Sequence, residues 1–192
     1  PQGFAALLAP VLSDEMEAIR SAGTLGNMAR PIDLLVKEPQ AILIDIGGGT
    51  TEQITLEFGV PKASMQLSVS EGIVDAYNEI GAAIKSRNGR DVPENAINLF
   101  LNGKEGLRIA DADAEIIRSH MERHSQRFLK RLMESKLPYS SSYNMLMGGG
   151  SGVYKSIWEN FRDYFGKLDF IREIRINAIG FEDNALKALM RA

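Results

Sequence analysis

One stretch limits what this chain can fold into more than any other: "AILIDIGGGTTEQITLEF", residues 41–58. Its first six residues, 41–46, form a short apolar run that is typical of a buried strand. Residues 53–58 then alternate apolar and polar side chains, which predicts a second strand. Three glycines, two threonines and a glutamate separate the two runs. The glycines are therefore expected to join one strand directly to the next.

This strand-to-strand order excludes two common phosphate-binding loops, because both need a helix directly after the glycines. A P-loop also requires a lysine, and none lies between Asp45 and Phe58. The letters "GGGTTE" do not fit the dinucleotide-binding fingerprint either. A plain hairpin turn stays open as an alternative, although such turns usually contain two residues of the Asn-Gly type.

Bare backbone N–H groups in a tight turn can instead bind phosphate oxygens, and threonine hydroxyls can add donors. The candidate donors are Gly47, Gly48, Gly49, Thr50 and Thr51. A carboxylate beside a bound phosphate repels it unless a cation or a polarised water lies between them. Asp45 and Glu52 are therefore candidates for holding Mg²⁺ or metal-bound water and for orienting an attacking water.

A second glycine triplet follows an apolar run in "YNMLMGGGSGVYKSIWENFRDYF". Residues 143–147 are predicted to form a strand, and residues 151–165 a helix with an apolar stripe. Here the glycines Gly148, Gly149 and Gly150 open a helix, so its free N–H groups can face a ligand. Ser151 can cap that helix or bond a phosphate or ribose oxygen, and a tight strand-to-helix turn is the alternative.

The remaining sequence predicts alternating strands and helices, hence an α/β fold. A third strand is expected at 62–69, followed by a helix at 70–87 that Ser70 can cap. Gly72, near the start of this helix, either leaves room for a ligand or has no special role. Residues 88–110 read as irregular, residues 111–134 as a long helix, and "EIRINAIGF" and "EDNALKALMRA" as a closing strand and helix. His120 and His124 lie four apart on the long helix, but "HMERH" lacks a third ligand, so a half-exposed helix face is favoured over zinc.

Composition adds few constraints. The net charge is −3 over 192 residues, which gives no electrostatic reason to expect nucleic-acid binding. The chain has no cysteine, which excludes disulfides and thiolate sites and fits a reducing compartment. Residue 1 is proline rather than methionine, and "PQGFAALLAP" reads as the middle of a protein, so we expect an N-terminal part to precede it.

With both glycine loops identified, the chain resembles the second half of the actin, Hsp70 and sugar-kinase superfamily, whose domains have a ribonuclease-H-like core. "LIDIGGGTTE" is similar to the family's second phosphate loop, "LMGGGSGVYKSIWE" to its adenosine motif, and "PQGFAALLAPVLSD" to the segment that crosses between domains. The resemblance implies an α/β domain with a mixed sheet in the order β-β-β-α-β-α-β-α. Its core would cover about 40–87 and 138–192, a small helical lobe about 88–137, and the crossing segment 1–39.

The resemblance also implies roles for individual residues. Asp45 would hold Mg²⁺-bound water and help to position the hydrolytic water, with Glu52 near that water. The β- and γ-phosphates would bind Gly47, Gly48, Gly49 and Thr50. Gly72 would lie by the ribose. The adenosine and α-phosphate would bind Gly148, Gly149, Gly150 and Ser151.

Within the superfamily, "PQGFAA", the compact lobe and "GGGS" favour the plasmid-segregation actins of the ParM and StbA type and their archaeal relatives. Rod-shape actins of the MreB type rank second. They typically have an IGG-D-like pattern at the following helix, where this chain has "VSEGIVD". A kinase or phosphatase of the same superfamily is a further alternative. So is an interaction domain that has lost the chemistry, although Asp45 and Glu52 argue against it.

The favoured subfamily implies a cytoplasmic, filament-forming ATPase that uses ATP or ADP (or GTP) with Mg²⁺. Its partners would be further copies of itself and a DNA-binding adaptor protein, without direct contact to nucleic acid or membrane. The family's first phosphate loop, a second "D-x-G" hairpin, does not occur in this sequence. We therefore expect one domain of two, which folds alone but binds nucleotide weakly and hydrolyses it poorly.

Overall fold

A five-stranded mixed sheet forms the centre of the molecule in a computed structural model that describes residues 11–12, 28–29, 31–104 and 108–171. Most of the crossing segment predicted at 1–39 lies outside these described residues. So do the closing strand and helix predicted from "EIRINAIGF" and "EDNALKALMRA".

The strands are β1 (Val11–Leu12), β2 (Met28–Ala29), β3 (Ala41–Ile46), β4 (Thr51–Glu57), β5 (Val60–Val69), β6 (Tyr143–Met147) and β7 (Lys167–Phe170). The helices are α1 (Pro31–Leu35), α2 (Ile73–Asn88), α3 (Glu94–Leu101), α4 (Asp111–Met133) and α5 (Ser151–Trp158), with 3₁₀ turns at Tyr139–Ser141 and Glu159–Tyr164. No helix within the described ranges is both long and apolar enough to cross a membrane.

The sheet has the order β5-β4-β3-β6-β7. Strand β4 runs antiparallel to both of its neighbours, β3 and β5, whereas β6 runs parallel to β3 and β7 runs parallel to β6. The predicted mixed α/β fold is thereby confirmed. Because β3 and β6 are parallel neighbours, with Asp45 opposite Met147, the two glycine loops that follow them leave the same edge of the sheet.

The core explains why β3 is apolar apart from Asp45. Alternate residues Ile42, Ile44 and Ile46 are fully buried in one cluster with residues of α2, α4 and α5. Phe128 of α4 and Trp158 of α5 lie in the same cluster, with ring centroids 5.8 Å apart. Helices α2, α4 and α5 therefore cover one face of the sheet and fix the positions of the loops at its edge.

Two boundary predictions are wrong. Residues 88–110 contain the helix α3, which buries Ile97 in the core although asparagines and glycines surround it. Helix α2 begins at Ile73 with Gly72 as its N-cap, so Ser70 does not cap it. The Gly72 N–H instead donates to Asp75 Oδ2 at 2.8 Å, because the chain turns into the helix only after Gly72.

Candidate functional site

The first glycine loop, residues 47–50, connects β3 to β4 and is closed by one internal hydrogen bond. The Gly47 N–H donates to the Thr50 carbonyl at 2.9 Å. Gly48, Gly49 and Thr50 are exposed, and no described atom lies within 4 Å of where a Cβ on Gly49 would stand. The loop therefore has an open side on which a ligand can approach the backbone.

The carbonyl groups of this loop are held from the opposite side by α2. The Ile73 and Val74 N–H groups donate to the carbonyls of Gly47 and Gly48 at 3.1 and 2.9 Å. In a trans peptide the N–H points opposite to the preceding C=O. The N–H groups of Gly48 and Gly49 are consequently directed away from the helix. Two adjacent, outward-directed amides of this kind suit an anion.

Gly72 lies directly beneath the first glycine loop. A Cβ there would stand 2.3 Å from the Gly48 carbonyl oxygen and 2.6 Å from that of Gly47. A residue without a side chain is needed for this close approach. Thr51 faces inward as well: it is fully buried, and its hydroxyl donates to the Glu71 carbonyl at 2.8 Å. Of the two threonines predicted as ligand donors, Thr50 is exposed and Thr51 supports the loop from inside.

The two predicted acidic residues are brought together by strand register. Asp45 pairs with Glu52 across β3 and β4, so both side chains lie on the same face of the sheet. Asp45 is 7% exposed, and its Oδ1 would stand 2.4 Å from a Cβ on Gly148. Oε2 of Glu52 is buried without a hydrogen-bond partner among the described atoms. A buried carboxylate oxygen in that state suits a bound water or a hydrated cation.

The second glycine loop, residues 148–150, joins β6 to α5 and is packed tightly. Gly148 has φ +87°, and Gly150 donates its N–H to the Ile46 carbonyl at 3.0 Å. Ser151 is fully buried, and its hydroxyl lies 2.9 Å from the Gly148 carbonyl and 2.7 Å from that of Ile171. Gly149 is the exposed glycine of the three. Its backbone faces the neighbouring cavity.

That cavity has a volume of about 450 Å³ and lies between the second glycine loop and α3. Its lining residues are Asn98, Leu99, Leu101, Asn102, Lys104, Gly148, Gly149, Gly152, Lys155 and Glu159. Amide side chains, two lysines and leucines together suit a flat polar ring with an attached anion. A Cβ on Gly152 would stand 3.1 Å from Asn102 Oδ1, so α3 and α5 nearly touch at one end.

Sequence reasoning missed the α3 wall of this cavity. Its signal was present, since Ile97, Phe100 and Leu101 follow Pro93 at helical spacing. The asparagines and glycines around the segment masked that signal. Asn98 and Asn102 were therefore not recognised as candidate binding residues, and Lys155 of α5 was not recognised either.

Within the described part of the chain, His120 and His124 on α4 do not belong to a metal site. Among the residues with described positions, no group of three or more His, Asp or Glu side chains could hold a metal ion. His120 is half-buried, and burial together with the Arg123 charge lowers its pKa. His124 is 1% exposed, so it does not lie on the half-exposed helix face that was expected. Its Nε2 lies 3.8 Å from Glu71 Oε1, and its Nδ1 lies 3.5 Å from Glu79 Oε1.

No protein-family model matches the chain, and no curated protein matches it. Solved structures do match. An archaeal actin homolog, Ta0583, in complex with ADP has a TM-score of 0.64 and 20% identity over 97% of this chain. ParM of Bacillus thuringiensis with ATP has a TM-score of 0.59 and 14% identity over 79% of this chain. An apo pSK41 ParM has a TM-score of 0.58 and 14% identity over the whole chain.

These likenesses concern shape rather than sequence. The chain spans about half of each neighbour, 56% of the archaeal protein and 47% and 50% of the two ParM chains. The antiparallel β3–β4–β5 unit, the parallel β6 and β7, and the helices on one face agree with that likeness. The chain thus has the actin-like fold.

Proposed function

We propose that this chain is the second nucleotide-binding domain of an actin-like, filament-forming ATPase. The observation that carries the proposal is the pair of glycine loops at the carboxyl ends of β3 and β6, beside a cavity of about 450 Å³. Ligands of open α/β sheets bind at such strand ends. The archaeal actin homolog was solved with ADP and the Bacillus ParM with ATP, which supports a nucleotide as the ligand.

In this proposal the nucleoside occupies the cavity and the phosphates extend along the edge of the sheet. Gly149 and the polar side chains of Asn98, Asn102 and Lys155 would contact the nucleoside and the first phosphate. The outward N–H groups of the first glycine loop, with the Thr50 hydroxyl, would bind the terminal phosphates. Gly72 and Ser151 contribute by shaping these loops, since both are buried against loop carbonyls.

Asp45 and Glu52 would act on water rather than on phosphate directly. Their shared sheet face and the unpartnered Glu52 Oε2 fit a water held next to the first glycine loop. Mg²⁺, when bound, would neutralise charge on the phosphates. Asp45 would hold the hydrating water of that ion, and the two carboxylates would orient the attacking water.

The wider role rests on the resemblance of sequence and fold. We infer a first domain, outside this chain, that would close over the phosphates, because the matched structures are about twice as long. Filament assembly and plasmid or DNA segregation through an adaptor protein follow from likeness to ParM. The solved neighbours include a ParM described as a non-polymerisable mutant, in keeping with polymerisation as a property of those proteins.

Isothermal titration of this chain with ATP and Mg²⁺ tests the nucleotide site. We expect measurable binding that is weaker than that of the longer protein, because half of the phosphate contacts would be missing. A chain that binds no nucleotide at all would contradict the proposal.

Asp45→Ala in the longer protein tests the chemistry separately. ATP-dependent light scattering should stay largely intact, while phosphate release should fall by roughly a hundredfold, as for the loss of a water-positioning group. Unchanged phosphate release would remove Asp45 from the reaction. Light scattering that shows no dependence on ATP in the unaltered protein would favour a kinase or phosphatase instead.

A further inference from the structure

Glu71 lies between β5 and α2, directly before Gly72, and its backbone is tied to the first glycine loop. Its carbonyl accepts the Thr51 hydroxyl at 2.8 Å. Thr51 is the residue at which the loop enters β4. The backbone of Glu71 thus fixes the C-terminal end of the loop.

The Glu71 side chain points into the molecule and ends on α4, sixty residues away. It is 10% exposed and forms an ion pair with Arg131 Nη1. The His124 Nε2 lies 3.8 Å from its other oxygen. A buried carboxylate must be paired to be tolerated, and Arg131 supplies that pairing. Burial and the Glu71 charge also raise the pKa of Tyr154 on α5.

The next residue, Gly72, transmits any shift of Glu71 to the loop. Its Cα lies so close to the loop that a Cβ would stand 2.3 Å from the Gly48 carbonyl oxygen. Ile73 and Val74 then hold the two loop carbonyls by hydrogen bonds. Because each peptide is rigid and planar, movement of these carbonyls also turns the outward N–H groups of Gly48 and Gly49.

A second carboxylate, Glu79 on α2 itself, gives a built-in comparison. Glu79 forms an ion pair with Arg127 and lies 3.5 Å from His124 Nδ1. Partial burial acts to raise the pKa of Glu79, but the Arg127 hydrogen bond and the His124 and Arg127 charges lower it overall. Glu79 is 44% exposed and has its ion pair two turns along α2 from Gly72. It shares the chemistry of Glu71 without the connection to the loop.

We propose that Glu71 is a positioning residue for the phosphates: its ion pair with Arg131 and its contact with His124 brace the first glycine loop against α4. Through this brace helix α4 sets the direction of the loop N–H groups. The proposal deepens the proposed function and rests on it for the identity of the ligand.

Amide hydrogen exchange of the ligand-free chain tests the brace independently of any nucleotide. In Glu71→Gln, the Ile73 and Val74 amides should exchange about tenfold faster, because their bonds to the loop open locally. Amides of the central strand, such as that of Leu43, should be unchanged. The matched control Glu79→Gln should leave Ile73 and Val74 at their original rates. Unchanged rates in Glu71→Gln, or equal acceleration across the sheet, would overturn the proposal.

Arg131→Gln is the second variant, since Arg131 is 57% exposed and its loss disturbs the core less. It should accelerate the same two amides. In titrations with Mg²⁺-ATP, both variants should bind about tenfold more weakly, and Glu79→Gln within about twofold of the original chain. Unchanged ATP affinity in both variants would refute the positioning role. A chain that never binds ATP but shows the exchange effect would instead refute the proposed function and leave the brace standing.

Discussion

The two glycine loops look alike in sequence but differ in what their glycines do. In the first, Gly48 and Gly49 are exposed, and a Cβ on either would meet nothing closer than 3.5 Å. In the second, Gly148 and Gly150 are buried, and a Cβ on either would stand 2.4–2.5 Å from the end of β3. Glycine in the first loop thus leaves space for a ligand, whereas glycine in the second allows the chain to pack.

The second loop is also a structural support for the first. Gly148 lies against Asp45 Oδ1, and Gly150 donates to the Ile46 carbonyl. Both contacts are made to the end of β3, from which the first loop starts.

Gly148→Ala should cause the largest loss of folding stability. Its φ of +87° disfavours any side chain, and the added methyl would stand 2.4 Å from Asp45 Oδ1 and 2.5 Å from the Ile46 carbonyl oxygen. We expect the free energy of unfolding to fall by roughly 3 kcal/mol, measured by urea denaturation.

Gly89→Ala separates the cost of a positive φ from the cost of a steric clash. Gly89 has a comparable φ of +65° at the end of α2, but no described atom lies within 4 Å of its Cβ position. The Gly89→Ala substitution should lower the free energy of unfolding by only about 1 kcal/mol. Equal losses for the two variants would mean that the close packing of the second loop contributes little.

Tyr139 connects the chain segment just before β6 to strand β4, and alkaline pH should weaken this connection. Its hydroxyl bonds to Gln53 of β4, and Tyr139 itself lies in the 3₁₀ turn before β6. Burial raises the pKa of the Tyr139 phenol to about 12, although its hydrogen bond with Ser135 acts in the opposite direction. A raised pKa means stability that is complete below about pH 10 and is lost as pH rises towards 12.

Urea unfolding at several pH values checks this expectation against Tyr139→Phe. At neutral pH the variant should be less stable by about 1 kcal/mol, through its lost hydrogen bonds. Between pH 10 and 12 the original chain should lose about 2 kcal/mol more than the variant. Tyr164→Phe, at an exposed tyrosine, serves as the control. A stability difference that stays constant with pH would show that Tyr139 does not titrate in this range.

The contrast between the loops also marks what sequence could predict. Both loops, four of the five strands of the sheet and the long helix follow from local signals, namely glycine runs and the periods of apolar residues. The fifth strand, β7 (Lys167–Phe170), was not predicted. The different roles of the glycines do not follow from local signals, because they depend on contacts between distant residues. Gly148 meets Asp45, and Gly72 meets Gly48, only after the sheet has formed. The pairing of Glu71 with Arg131 is equally invisible in the sequence, since nothing local distinguishes it from other surface charges.

Gly49→Ala should have the smallest effect on folding and is the sharpest test of the contrast. Its added methyl meets no described atom within 4 Å, and alanine restricts the unfolded chain, so the free energy of unfolding should change by no more than about 0.5 kcal/mol. The methyl would nevertheless stand on the exposed side of the loop, where the proposed phosphates approach the Gly48 and Gly49 amides. Titration with Mg²⁺-ATP should therefore show roughly threefold or greater loss of affinity. Gly81→Ala, in the middle of α2 and equally free of close atoms, should leave the affinity unchanged. If Gly49→Ala kept full affinity, the ligand would have to approach from another side, and the first loop's open glycines would need a different explanation.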